Sequence, residues 1–378
     1  MKHGKTVATA MMVAALGILG ARTAHAQEGM SRGSIAIGQS IALTGPGSQL
    51  ASAFHDGAKL YFDRINAAGG INGRKVELVT LDDRANAKTT AENTKKLLDQ
   101  GVFLLFGYYG SPQVTAAYPA IKDGDVMLFA PMAAADELHG ANFPNVYSIR
   151  PGYAEEAAAI MKHAQTVGMG KKFAFLHAAD SESLAALDSA NRTMTSMGAN
   201  VVADATFQSG AITGAVDKVL AAFPQSVLVM GDSNGAASAI RDLRAKNFRG
   251  PIYGFSNTGE SLLAEELGRD GAGVVVVRVV PKSDTAKVPV VRELMQDAAA
   301  AKLGKTNVYM LEGYLAARTF AEALKHAGPQ PTRAKFKQAL AKMEDVSLGG
   351  FRVNFGDDRT GSKLVELSLI DSQGKVRE

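Results

Sequence analysis

The sequence predicts an α/β protein of two doubly wound lobes, and three observations carry that expectation. Short β-branched or apolar runs alternate with longer stretches of helical periodicity from Ser34 onward. Gly, Asn, Asp or Pro separates them, as turn chemistry requires. The chain is also longer than a single hydrophobic core usually serves.

Strands are expected over 35–43, 76–81, 102–106, 126–129, 146–149, 173–176, 201–205, 227–230, 252–255 and 274–280. The clearest helices between them are expected over 54–67, 89–100, 114–122, 154–167, 183–197, 216–223, 236–246, 261–267, 290–303, 309–326 and 333–343. Parallel strands joined by such helices form sheets whose ligands sit beyond the carboxyl ends of the strands. So many strands divide between two lobes. Crossings are expected at Arg150-Pro151-Gly152 and around Pro281 to Pro289, where Pro and Gly interrupt the alternation. An antiparallel ending is expected from 351–355 and 364–370, joined by the turn-rich 356–361.

The first residues carry Lys2 and Lys5, an apolar run from Val7 to Leu19, and Ala24-His25-Ala26, the three regions of a secretory signal. Cleavage after Ala26 is expected, with Gln27 as the first mature residue. The apolar run is well short of the roughly 20 residues that span a bilayer. Cysteine is absent, which excludes disulfides, a lipid-modified cysteine and thiolate metal sites. The pI near 9.0 invites a nucleic-acid reading. Removing the three basic residues of the signal region, however, leaves 38 basic against 37 acidic residues, too even a balance for phosphate-backbone binding.

Enzyme motifs are weak. Gly45-Pro46-Gly47 lacks the third glycine and the downstream acid of a dinucleotide fingerprint. Gly254-Phe255-Ser256-Asn257-Thr258-Gly259 approaches a nucleophile elbow, but Thr258 stands where glycine is needed, and a helix cap explains Ser256 or Asn257 equally well. Gly168 to Lys172 lacks the rest of a phosphate-binding loop. The histidines of the mature chain show no i, i+4 pair, so no metal or other cofactor is expected.

A stronger signal is a strand running directly into small polar residues that open a helix, and it recurs in both halves. Gly107-Tyr108-Tyr109-Gly110 leads into Ser111-Pro112, with Ser as a cap and Pro at the first helical position. Free N–H groups at such a start attract an anion, for which a ligand carboxylate is the natural candidate. The small side chains of Ala130-Pro131-Met132-Ala133-Ala134 let a ligand approach the backbone, and serve tight packing equally well. Ala179-Asp180-Ser181-Glu182, Gly231-Asp232-Ser233 and Phe255-Ser256 hold equivalent strand ends, as ligand contacts or as caps. Tyr108, Tyr109 and Tyr153 fit either a pocket wall or the core.

These pieces resemble the leucine-binding type of periplasmic solute receptor, which serves branched-chain amino acid ABC importers. The resemblance rests on Leu43-Thr44-Gly45-Pro46, the run from Ile65 to Gly73, Leu81-Asp82-Asp83, Gly107 to Ser111, Ala130-Pro131 and Tyr147-Ser148-Ile149-Arg150, and covers essentially the whole mature chain. It implies the type I fold, two Rossmann-like lobes joined by a three-segment hinge. On that pattern residues 27–150 and 281–349 form the N-terminal lobe, and 151–280 and 350–378 the C-terminal lobe. It also implies hinge closure on a ligand, a periplasmic monomer, and delivery to a membrane permease with its ATPase. In the family's amino acid binders, loops of the first lobe hold the carboxylate and an acid of the second holds the ammonium. Ser111 matches that pattern. Ala134 falls where a hydroxyl is expected, Ser256 where the acid is expected, and Glu182 where an aromatic is expected. An amino acid ligand then requires Glu155, Glu182 or Asp232 as the substitute acid, because a buried ammonium needs a partner. The expected ligand is a carboxylate or an amide, with branched-chain amino acids as the family default and an aromatic acid as a further option. A secreted hydrolase built on Ser256 and a sensor subunit of a membrane signalling system are the alternatives.

Overall fold

The structure, a computed structural model, describes residues 29–208, 211–356 and 358–377. The expected signal segment and its cleavage point lie outside the described residues. Among the described residues no helix is long and apolar enough to cross a membrane.

The first half alternates β1 (Ser34–Ile41), α1 (Ser48–Ala67), β2 (Lys75–Asp82), α2 (Ala87–Asp99), β3 (Leu105–Phe106), α3 (Ser111–Ala117), β4 (Leu128–Phe129) and β5 (Val146–Tyr147). The five strands form one parallel sheet in the order β2-β1-β3-β4-β5. Regular pairing in β3 is shorter than the apolar run implied, but single bonds such as Phe103 N–H to the Ala36 carbonyl, 2.8 Å, continue it. α1 begins six residues earlier than its apolar periodicity suggested. The reason is that Leu50 and Ala51 are buried while the residues around them are small or polar.

The second half continues with α4 (Tyr153–Thr166), β6 (Lys172–Ala178), α5 (Ser181–Ser196), β7 (Asn200–Phe207), α6 (Thr213–Ala221), β8 (Ser226–Met230), α7 (Ser233–Ala245), β9 (Ile252–Gly254), α8 (Glu260–Leu267) and β10 (Val274–Arg278). The chain then forms α9 (Pro289–Ala300), α10 (Val308–His326), α11 (Arg333–Ala341), β11 (Val346–Ser347), β12 (Arg352–Val353), β13 (Glu366–Ile370) and β14 (Val376–Arg377). The second sheet has the order β14-β13-β10-β9-β8-β6-β7, and only β13 runs opposite to the rest, pairing antiparallel with both β10 and β14.

Each sheet is covered on both faces. α1 and α9–α11 pack on one face of the first sheet and α2 and α3 on the other. α6–α8 cover one face of the second sheet, and α4 and α5 the other. α1 and α10 cross through paired glycines. A Cβ at Gly57 would lie 1.8 Å from the Met310 carbonyl oxygen, and one at Gly313 would lie 1.8 Å from that of Phe54.

The ending differs from the expected hairpin. Residues 352–353 pair with 346–347 instead of with 364–370. Phe351, Val353 and Phe355 fill the first core, so this segment packs with the first sheet and not with the second, where the boundary at 349/350 had placed it. Burial of two phenylalanines outweighs the turn chemistry of 356–361. The chain changes over only beyond Phe355, where Ser148 N–H bonds the Arg359 carbonyl and Gly361 N–H bonds that of Ser148, both at 2.8 Å.

Strand order then positions the site. In the first sheet the order reverses between β1 and β3, and in the second between β6 and β8. Such switch points open a crevice beyond the carboxyl ends of the strands. The loops after β1 and β3 and the loops after β6 and β8 therefore face a common space.

Candidate functional site

A cavity of about 440 Å³ lies where those loops meet, lined by Pro46, Gly47, Tyr109, Gly110, Met132, Ala133, Ala134, Arg150, Tyr153, Asp180, Glu182, Asp232 and Asn257, among others. Asp82 fixes the loop after β1 by accepting from Leu43 N–H at 3.0 Å and from the Thr44 hydroxyl at 2.6 Å. Asp83 accepts from Ser40 and Thr90 hydroxyls at 2.9 and 3.0 Å. The two acids thus position the loop and do not face the cavity.

Of the residues singled out from sequence, Tyr109, Met132, Ala133, Ala134, Tyr153, Glu182 and Asp232 line this cavity. Tyr108 does not. It is fully buried in the core beneath α2 and α3, with its hydroxyl 3.0 Å from that of Thr94. Neighbouring residues of an extended segment point to opposite sides, so only one of the two tyrosines can face the ligand space. Glu155 is likewise absent from the lining. Asp232 accepts from Gly235 N–H at 2.8 Å and Asp180 from Ser183 N–H at 2.9 Å, so both cap their helices while also bordering the cavity.

Ser111 has a different role from the cap expected of it. Its side chain makes no capping bond, and Gly110 is the residue before α3. α3 runs only seven residues, too short for its dipole to dominate. Instead, the Glu182 carboxylate reaches across from α5 and occupies the donors at this point. Ser111 N–H donates to Glu182 Oε2 at 2.6 Å, and the Ser111 hydroxyl donates to Oε1 at 3.0 Å. The Tyr153 hydroxyl also donates to Oε1, at 2.5 Å. Ala135 N–H donates to Ser111 Oγ at 3.1 Å, which leaves the hydroxyl proton for Glu182. The Tyr153 ring is held 5.0 Å from that of Phe255. Burial pushes the Glu182 carboxyl above its ordinary value, against the pull of Tyr153 and Ser111, which favour the anion. Burial and the adjoining Glu182 and Glu156 charges push the Tyr153 phenol well up, so it stays a donor.

Ser256 lies outside the lining, in a buried ionic network that sequence reasoning did not find. Its N–H and hydroxyl donate to Glu156 Oε2 and Oε1, both at 2.8 Å, and its Oγ also accepts from Arg150 Nη2. Arg150 bonds Glu156 at 3.1 Å and Glu312 at 3.2 Å, and all three are nearly inaccessible. Burial raises both glutamates while Arg150 pulls them down. Arg150 itself is held cationic by Glu312 and Glu156, against the cost of its burial. Arg150 belongs to the crossing segment, Glu156 to α4 and Glu312 to α10, so the network ties both halves of the chain together. The signal in the sequence was Arg150 at the end of Tyr147-Ser148-Ile149-Arg150. Nothing in the local pattern marks its partners, Glu156 in α4 and Glu312 in α10. Ser256 is thus placed between a carboxylate and a guanidinium, with no imidazole among its partners to take its proton.

Among the described residues, two buried polar atoms that belong to lining residues have no hydrogen-bond partner, Arg150 Nε and Asn257 Oδ1. Among the described residues no group of three or more His, Asp or Glu is placed to hold a metal. The arrangement sets polar groups and apolar walls around a partly open cleft, which is the chemistry of reversible capture.

Two doubly wound lobes that share a cavity at their switch points define a two-lobed ligand-binding protein. Over residues 34–375 the chain matches the periplasmic binding protein family, and it belongs to that family. It is 24% identical to the Leu/Ile/Val-binding protein BraC3 of Rhizobium johnstonii, over 92% of both chains. It is 29% identical to the leucine-, isoleucine-, valine-, threonine- and alanine-binding protein of Pseudomonas aeruginosa, a match spanning 39% of this chain and 38% of that protein. Among solved structures, an extracellular ligand-binding receptor of Verminephrobacter eiseniae superimposes with a TM-score of 0.85 at 26% identity, covering 91% of this chain and all of that one. A substrate-binding periplasmic protein of Ralstonia solanacearum gives 0.82 at 28% identity, over 91% and 99% of the two chains.

Proposed function

We propose that this protein is a periplasmic receptor that captures a small carboxylate- or amide-bearing molecule between its lobes and delivers it to the permease of an ABC importer. The observation that carries the reading is the meeting of Ser111 from one half with Glu182 and Tyr153 from the other, the latter two lining the cavity and Ser111 lying directly behind Glu182. Groups that close on each other across a cleft bind a guest better when closed, which is how a ligand shifts a hinged protein toward its closed form. A volume of about 440 Å³ suits a small metabolite. The names of the Rhizobium and Pseudomonas relatives make branched-chain amino acids the first candidates. Asp180, Glu182 and Asp232 supply the acidic side on which an amine or amide N–H would rest.

The test is a thermal-shift screen of the purified mature chain against amino acids, aromatic acids and their amides. A ligand present at about 100 times its dissociation constant stabilises by roughly 2.7 kcal/mol, a readily measured shift. Saturable stabilisation without turnover supports a receptor. Turnover of an ester or amide that is lost in Ser256→Ala would instead establish an enzyme.

A further inference from the structure

The subsite that would hold a ligand carboxylate is already filled by the protein's own. We infer that Glu182 is a resident occupant of the Ser111 subsite, so that this receptor rejects carboxylates there and favours the neutral amide of a ligand over its acid. The inference rests on the receptor reading above and narrows its cargo.

Three donors converge on the Glu182 carboxylate, at 2.6, 3.0 and 2.5 Å, and they engage both of its oxygens. The Ser111 hydroxyl is oriented by Ala135 N–H, and the only proton it has goes to Glu182. A ligand carboxylate arriving here finds no free donor and meets a like charge at hydrogen-bonding range. Displacing Glu182 would leave its charge in a cavity that Asp180 and Asp232 also border. Two carboxylates brought to hydrogen-bonding range without a cation between them repel.

The rest of the lining does not invite a second carboxylate either. Asp180 and Asp232 border the cavity, and the one cation among the described residues that line it, Arg150, is already held by Glu156 and Glu312. A neutral amide adds no like charge here and can donate its N–H groups to the acidic wall, which a carboxylate cannot.

Chemical rescue tests the assignment without knowledge of the cargo. Glu182→Ala removes the side chain beyond Cβ, a fragment equivalent to acetate. Acetate, against matched sodium chloride, should bind E182A at least tenfold more tightly than it binds the wild type, read as a saturable thermal shift, and Ser111→Ala in the E182A background should abolish most of the gain. Equal response of wild type and E182A to acetate overturns the assignment. The cargo arm compares leucine with leucinamide and phenylacetate with phenylacetamide. Wild type should prefer the amide of a pair by tenfold or more, and E182A should lose or invert that preference. Glu182→Gln, which keeps the shape, should reduce the preference at least threefold even if E182A folds poorly. A wild type that prefers the carboxylates refutes the inference. If acetate separates the two proteins while none of the four probes binds either, the occupancy stands, and the receptor reading fails for these cargo classes.

Discussion

Replacing Arg150 by methionine removes the cation that two buried glutamates share and leaves the aliphatic stem in place. Arg150 bonds Glu156 at 3.1 Å and Glu312 at 3.2 Å, and the three residues are 2%, 0% and 2% exposed. Removing one partner of such a pair costs about 3–5 kcal/mol, because the remaining charge is buried without compensation. Glu156 keeps its bonds from Ser256, so Glu312 bears most of the penalty. The sign of the pH dependence follows from burial, which raises both carboxyls above the ordinary value of 4.5 even with Arg150 present. A raised acid binds its proton more readily in the folded state, so its penalty is full above the folded pKa and fades as pH falls toward 4.5. Urea unfolding followed by circular dichroism should therefore show R150M losing about 3–5 kcal/mol near pH 7.5 and clearly less near pH 5. The triple variant R150M/E156Q/E312Q should recover most of the loss, since neutral side chains carry no desolvated charge. A deficit below about 1 kcal/mol near pH 7.5, or one that does not change with pH, would refute the reasoning.

Three further outcomes are expected. Gly313→Ala should destabilise by roughly 1–3 kcal/mol or more in the same unfolding assay, because the new methyl meets the Phe54 carbonyl and the α1–α10 crossing must widen. Tyr153→Phe deletes a donor to the Glu182 carboxylate and should cost about 1.5–3 kcal/mol in thermal or urea unfolding of the ligand-free protein, the usual range for a bond to a charged group. His139 is pushed down to about 4 by burial and then by the Arg150 charge, with its Nδ1 2.9 Å from the Thr360 hydroxyl. Here the unfolded state takes the proton first, so wild-type stability falls between pH 6.5 and about 4. Relative to wild type, His139→Gln should gain by up to about 3 kcal/mol across that window in urea titrations, and a constant difference would show that His139 does not titrate as its burial requires.

Much of the architecture was legible because helix and strand periods are local. The apolar runs at 35–41 and 227–230, and the Gly and Pro between elements, mark strands and turns without reference to the rest of the chain. The strand-end loops were legible for the same reason, and Tyr109, Met132, Ala133, Ala134, Tyr153, Glu182 and Asp232 do line one cavity. The final pairing was not. Residues 351–355 and 364–370 carry strand-like patterns that fit either sheet, and only the burial of Phe351 and Phe355 under α9–α11 selects the first. Tyr108 and Tyr109 are chemically equivalent neighbours, and the phase of an extended segment relative to its sheet decides which of them faces the ligand space.

The sequence by itself determined the class of fold, the loops that meet at the cleft and the absence of thiol chemistry, since each of these depends on composition or on spacing within a few turns. Only the tertiary structure decided which charges meet. Ser111 and Glu182 lie 71 residues apart, Arg150 and Glu312 lie 162 apart, and no local pattern links either pair. Buried charges must find partners or be expelled, and which partner is within reach depends on how two independently wound lobes pack together. The Ser111 donors, legible as an anion site, are for that reason held by the protein's own glutamate.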